Sequence, residues 1–183
     1  MLEGSRITLT ELYPTTLKYQ PHRDVDWRVV EDESAYTERM RSGPLSNWPE
    51  EVLVEWLHRH ASQMEDYSFL GFEYLQFEHA TWPTSRIPGA AAFRDEGFCN
   101  NFQNVEERAA HNEHDWLAHY MLLEGTWNTP IILFDSSSGS YGTKIKAPFH
   151  LLEGHRRLAF LQGLKRLGKA KPEHTIWLVR SRA

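Results

Sequence analysis

The chain contains a single cysteine, Cys99, so it cannot form an internal disulfide bond. It also lacks any run of 18 consecutive apolar residues, and we therefore expect no membrane-spanning helix and no membrane partner. Its first residues, Met1 to Arg6, do not show the basic and then apolar pattern of a secretory leader. These three absences predict a cytoplasmic protein.

Aromatic residues, by contrast, are abundant, since the 183 residues include seven Trp, seven Tyr and nine Phe. A chain of this length can bury enough apolar surface to fold without disulfide bonds or metal ions. With 40% hydrophobic and 25% charged residues, it has the composition of a folded protein rather than a disordered one. We expect one domain of ordinary size over 66–183, preceded by an N-terminal extension over 1–65.

Charge is distributed unevenly along the sequence. The residues from Gly139 onward include ten Lys or Arg and two acids, a net charge of +8. Because the whole chain carries −5, the first 138 residues carry −13. This asymmetry favours an acidic partner for the basic C-terminal part, such as a nucleotide, DNA or an acidic protein. The alternative is that the two parts neutralise each other within the fold.

Hydrophobic periodicity predicts an α+β fold with a mixed sheet. The extension is expected to be mostly irregular, with one helix that begins at Asn47 and runs to about Met64. Gly125 and Gly168 are expected to end two later helices. The expected elements after the extension are strands at 69–72 and 74–79, a loop over 89–104, a helix over 105–123, strands over 129–135 and 148–153, a helix over 155–167 and a strand over 174–179.

The sequence Gly154-His155-Arg156-Arg157 lies where a predicted strand is followed directly by a predicted helix. The first turn of a helix carries unpaired backbone N–H groups and the positive end of the helix dipole, which both attract anions. Gly154 has no Cβ and lets a ligand oxygen approach the backbone, and arginine binds phosphate through paired hydrogen bonds. The turn therefore predicts a phosphate site. The alternative is that both arginines form surface ion pairs with Glu153 or another acid.

The wider pattern resembles the ParB/sulfiredoxin superfamily over residues 105–180. One motif is Gly125 followed by Thr129-Pro130-Ile131-Ile132 at the entry to a strand. The other is the Gly154 to Arg157 turn before a helix that begins with Leu and Ala. The resemblance implies a ParB/sulfiredoxin-like mixed β-sheet with flanking helices, and a turn that binds the phosphates of CTP or ATP.

The resemblance also implies roles for individual residues. Gly154 corresponds to the close-approach glycine, Arg157 to the family's most constant arginine and Arg156 to its neighbour. Thr129-Pro130 corresponds to residues near the nucleotide. His155 stands where the segregation proteins have glutamate and the sulfiredoxins have cysteine, which argues against sulfinic acid repair. With no helix-turn-helix domain expected after the last strand, the resemblance is to a stand-alone member.

Glu153 and His155 are the candidate catalytic residues. A carboxylate near bound phosphates could hold Mg²⁺ or act as a base, and a histidine at a helix start could contact phosphate or move a proton. No site for a protein-bound metal is expected, because no second cluster completes His111, Asp115 and His119.

The sequence therefore predicts nucleotide binding, with ATP as the expected ligand and Mg²⁺ as its accompanying ion. Hydrolysis or phosphotransfer would make the protein an ATPase, a phosphotransferase or a nuclease. The alternative is a non-catalytic factor of the DNA-transfer-control, antitoxin or immunity type. Such a factor would bind DNA or an acidic protein through the basic C-terminal part.

Overall fold

A computed structural model describes residues 8–137, 139 and 141–182 of the chain. The chain divides after Gln76 into two units. The first contains residues 8–76 and Arg182, and the second contains the described part of Phe77–Ser181. This division falls later than the boundary at residue 65 that the sequence suggested. Residues 1–7, which include the segment examined for a leader, lie outside the described residues.

The first unit is helical and has its own aromatic core. Trp48 stacks on Trp56 with 5.6 Å between ring centroids, and Phe72 meets the two indoles edge-on at 5.8 and 5.7 Å. The indole N–H of Trp48 also donates to the backbone carbonyl of Phe72. The helical segments are α1 (Leu9–Leu12), a 3₁₀ turn at Leu17–Tyr19, α2 (Glu33–Arg41), α3 (Glu50–Val52), a π-helical segment at Leu53–His58, and 3₁₀ segments at Ala61–Leu70 and Phe72–Tyr74.

This unit is more ordered than the mostly irregular extension with one helix that we expected. Short helices with weak periodicity are stable here because their aromatic side chains pack together. The helix expected from Asn47 to Met64 is divided into three segments, since the hydrogen bonding changes from α to π at Leu53 and the backbone leaves helical geometry at His60. The strand expected at 69–72 is wrong: this stretch is helical and turns at Gly71, whose φ is +65°.

The second unit is built on a four-stranded mixed sheet with the order β1-β4-β2-β3. Strand β2 pairs antiparallel with β3 and parallel with β4, so β2 is central. The apolar run from Ile131 to Phe134 in β2 is at most 1% exposed because both faces of this strand are covered. The strands are β1 (Leu75–Pro83), β2 (Ile131–Asp135), β3 (Phe149–Glu153) and β4 (Glu173–Ser181). The predicted α+β class and mixed sheet are confirmed.

In the described part of this unit, four α-helices accompany the sheet: α4 (Glu96–Phe102), α5 (Val105–His111), α6 (Trp116–Glu124) and α7 (His155–Leu167). Two 3₁₀ turns, Ala90–Ala92 and Gly142–Lys144, lie in the connections. The loop expected over 89–104 is wrong, because α4 forms there despite its poor helix formers. Asp95 caps α4 by accepting from the backbone N–H of Gly97, and Cys99 is buried in the core. The single helix expected over 105–123 is broken after His111, and Asp115 caps the second half. Gly125 ends α6 as predicted.

Helix α7 packs on β2 and against α4, α5 and α6, and it completes the core of the second unit. Its leucines at 158, 161 and 164 are fully buried among the apolar side chains of the sheet. Burial of one such side chain contributes about 1.5–3 kcal/mol to the free energy of unfolding. On another side of α7, Gly163 lies so close to the α4–α5 junction that a Cβ would be 2.0 Å from the carbonyl oxygen of Gln103.

Among the described residues, no helix combines the length and apolarity needed to cross a bilayer. The longest α-helix, α7, has 13 residues, whereas about 20 are needed.

The contact at Gly163 yields a prediction on stability. Alanine in a helix is normally more stable than glycine by about 1 kcal/mol. Here we expect Gly163→Ala to lower the free energy of unfolding by about 1–3 kcal/mol, because the added methyl group meets backbone rather than a movable side chain. Urea denaturation followed by circular dichroism measures the change. A more stable variant would contradict the close approach of the α4–α5 junction.

Candidate functional site at the start of helix α7

Strand β3 turns into α7 at Gly154, as the sequence predicted. The φ of Gly154 is +97°, a left-handed conformation that favours glycine. A Cβ at this position would lie 2.6 Å from Cγ2 of Ile131 in β2. The glycine is therefore required by its backbone conformation and by the approach of β2, whereas the sequence suggested the approach of a ligand.

The N-terminus of α7 differs from those of the other described α-helices because it lacks both a side-chain cap and an acid in its first turn, whereas α3 and α5 lack only the cap. Gly154 provides no side-chain cap, and the first turn contains no acidic residue. Helices α2, α4 and α6, by contrast, are capped by the carboxylates of Asp32, Asp95 and Asp115. The backbone N–H groups and the positive dipole end at the start of α7 are thus not offset by a capping carboxylate.

Arg157 is 7% exposed and lies against the end of β3. Its Nη2 is 3.5 Å from Oε1 of Glu153, which is itself buried. The carboxylate of Glu153 therefore acts as a counter-ion to Arg157 from inside the fold. This is the ion-pair alternative that the sequence left open for the turn, formed between buried groups rather than on the surface.

Arg156 is bound by a different acid. Its Nη2 lies 2.6 and 2.5 Å from the two carboxylate oxygens of Asp115, at the start of α6. Arg108 of α5 approaches the same carboxylate, with Nε 3.4 Å from Oδ2. The side chain of Asp115 is 4% exposed, whereas that of Arg156 is 41% exposed. Asp115 thus joins α5, α6 and α7, while the side chain of Arg156 remains partly exposed to solvent.

His155 belongs to an aromatic wall beside the turn. Its ring meets Phe93 and Phe98 edge-on, at centroid distances of 5.9 and 5.7 Å. Phe98 stacks on Phe102 at 4.4 Å, and the guanidinium of Arg108 lies 5.0 Å from the Phe102 ring. Helix α4 supplies this wall, so the sequence missed it when 89–104 was expected to be a loop.

His150, on β3, shows that positive charge accumulates near the turn. This buried ring accepts a hydrogen bond at Nδ1 from the backbone N–H of Lys146, at 3.2 Å. Burial, and next the electrostatic interactions with His155, Arg94 and Lys146, lower the pKa of His150 to about 4. Arg94 and Lys146 thus place positive charge near β3, which favours an anion in this part of the structure.

Thr129-Pro130 precedes β2 at the same end of the sheet. Ile132 of β2 is the register partner of Glu153, so the entry to β2 lies beside the exit from β3. Pro130 is buried and Thr129 is half-buried. The structure thus places the entry to β2 next to the strand end that leads into the turn at Gly154.

No three His, Cys, Asp or Glu side chains within the described ranges are arranged to hold a metal ion. Asp135, at the other end of β2, is paired with Arg180 and with the hydroxyl of Ser137. A Mg²⁺ ion at the turn would therefore depend on ligand phosphates and on Glu153.

The basic C-terminal part is largely neutralised within the second unit. At least six of its ten Lys and Arg side chains form ion pairs, and most of their acidic partners come from earlier in the sequence. The pairs are Lys146–Glu96, Arg156–Asp115, Arg157–Glu153, Lys169–Glu106, Lys171–Glu124 and Arg180 with Glu78 and Asp135. The charge asymmetry of the sequence is therefore balanced in space.

A second buried histidine, His174 at the start of β4, is remote in sequence from the turn. Its Nδ1 lies 2.7 Å from the hydroxyl of Thr126, and its Nε2 has no hydrogen-bond partner in the part of the chain that is described. Burial, followed by the charge of Lys165, lowers its pKa to about 4.

The buried pair of Arg157 and Glu153 predicts a specific loss of stability. Arg157→Met leaves a buried carboxylate without this counter-ion, and we expect the free energy of unfolding to fall by about 1–3 kcal/mol. The double variant E153Q/R157M removes both charges and is expected to recover part of the loss. Urea denaturation of the single and double variants measures the coupling. Equal stability of wild type and R157M would contradict the pair.

The two buried histidines predict sensitivity to acid. An unfolded histidine binds a proton near pH 6.5, whereas His150 and His174 stay neutral in the fold until about pH 4. Stability is therefore full above pH 6.5 and falls between pH 6.5 and 4, by up to about 1.4 kcal/mol per pH unit for each histidine. Urea denaturation from pH 7.5 to 4.5 measures this slope. His174→Gln should flatten it, and H111Q, at an exposed histidine, should leave it unchanged.

Comparisons with protein-family models, with curated proteins and with solved structures find no match to this chain. The resemblance to the ParB/sulfiredoxin superfamily therefore rests on the motifs around Gly125 and Gly154, and it stays a prediction.

Proposed function

We propose that the start of α7 binds a phosphate group of a nucleotide, with ATP as the leading candidate. The observation that carries this proposal is the open N-terminus of a 13-residue helix whose first turn holds His155, Arg156 and Arg157 and no acid. Such a helix start attracts an anion through its backbone N–H groups and its dipole. The cations around His150 add to this attraction.

The exposed fractions favour different roles for the two arginines. The side chain of Arg156 is 41% exposed and can contact a ligand directly. Arg157 is 7% exposed and paired with Glu153, so we assign it to orient the end of β3 and to contribute positive charge from beneath the turn. This assignment changes the expectation from the sequence, which made Arg157 the principal cation.

The choice of a nucleotide over another anion is supported by the family resemblance and by the aromatic wall beside the turn. Phe98 and Phe102 are only partly buried and lie on the α4 side of His155. Half-exposed aromatic rings next to cations suit a ligand that combines a planar base with phosphates. Hydrolysis or phosphotransfer, with Glu153 and His155 in the chemical step, stays a prediction beyond binding.

Binding of DNA or an acidic protein by the basic C-terminal part has less support. That alternative depended on charge asymmetry, and at least six of the ten cations are ion-paired inside the second unit. Binding to DNA would also weaken steeply as salt is added.

The proposal is tested by a carboxylate placed in the open first turn. His155→Glu adds a negative charge where the phosphate would lie, while an acid at this position favours the helix dipole by about 0.3–1 kcal/mol. We expect H155E to bind ATP about tenfold or more weakly than H155Q, its neutral counterpart. Isothermal titration with ATP, with and without Mg²⁺, measures the difference.

A control separates the local charge from net charge. Ser85→Glu makes the same change in net charge at an exposed turn and should bind ATP as wild type does. Equal affinity of H155E and H155Q, or failure of the wild type to bind any nucleotide, would contradict the proposal.

A further inference from the structure

Asp115 binds Arg156, the arginine that the proposed function assigns to direct ligand contact. Both of its oxygens lie within hydrogen-bond distance of Nη2 of Arg156, and Arg108 approaches the same carboxylate. A carboxylate held between two guanidinium groups has the contacts that a phosphate oxygen would make in its place. The site therefore contains an anion that belongs to the chain itself.

This arrangement leaves the cations incompletely satisfied. Nε of Arg156 is buried and has no hydrogen-bond partner within the described ranges. The side chains of Arg156 and Arg108 are nevertheless 41% and 47% exposed. Asp115 is thus the buried member of the cluster, and the two arginines retain the capacity to take another anion from solvent.

We propose that Asp115 is an internal competitor of the phosphate ligand, and that Arg108 becomes a second ligand-binding arginine when Asp115 is displaced. This inference rests on the proposed function, since it describes regulation of the same site. Two adjacent arginines suit a ligand with more than one phosphate, such as a nucleoside diphosphate or triphosphate or inorganic pyrophosphate.

Displacement of Asp115 also has a structural consequence. Its Oδ1 accepts a hydrogen bond from the backbone N–H of Ala118, at 3.2 Å, and this bond caps α6. When the carboxylate leaves Arg156, the cap is weakened. Ligand binding at α7 is thereby coupled to opening of the first turn of α6.

The test is Asp115→Asn in the full chain, titrated with ATP and with inorganic pyrophosphate. Asparagine caps helices about as well as aspartate, so the fold and α6 are retained, which circular dichroism verifies. Removal of the competing charge is expected to tighten binding about fivefold. Adding Arg108→Gln to D115N should abolish the gain. In the wild type, ATP should speed hydrogen exchange at the Ala118 amide.

Glu106→Gln is the matched control. Glu106 is paired with Lys169 on the exposed side of α5, so E106Q makes the same change in net charge away from the cluster. If D115N binds ATP no more tightly than E106Q while H155E still binds ATP more weakly than H155Q, the proposed function is supported and the role of Asp115 is contradicted. If neither wild type nor D115N binds ATP or pyrophosphate, both proposals fall.

Discussion

The contact between Ile131 and Gly154 determines where helix α7 can begin. Because residue 154 is glycine and has no Cβ to collide with β2, the chain can leave β3 in a left-handed conformation and enter α7 without an intervening loop. The buried leucines of α7 then join the core of the second unit, and its first turn lies at the end of the sheet where β2 begins. The open helix start therefore results from the tight packing of Gly154 against β2. A ligand site at this position would use the backbone N–H groups that this packing leaves uncapped.

Charge pairing inside the second unit follows from this placement. The acids that meet the basic C-terminal residues lie mainly on β1, α4, α5 and α6, which the chain forms earlier. Most of these pairs are exposed and contribute little to stability individually. Asp115 and Glu153 differ because they are buried. Removal of Asp115 would take an ion-pair partner from Arg156, and removal of Glu153 would take one from Arg157.

The sequence predicted the last third of the fold well, because three apolar strands and a helix with leucines at regular spacing carry strong signals. It also located the turn at Gly154 and left open the pairing of its arginines. It did not predict α4, whose Gly97, Asn100 and Asn101 are poor helix formers, since packing of Phe98 and Cys99 decides there. The partner of Arg156 could not be predicted from the sequence for a related reason. Asp115 is 41 residues away in the sequence, and only the break between α5 and α6 brings it to α7.

Gly163 gives the chain a feature that can be searched for. The glycine exists because a helix junction touches α7 through backbone atoms, so relatives that keep this junction would need glycine at the same place. A glycine that starts a helix and a second glycine nine positions later would form a spacing pattern independent of the phosphate motif. Distant relatives could therefore be sought by this glycine spacing, which reflects helix packing, rather than by residues that would bind a ligand.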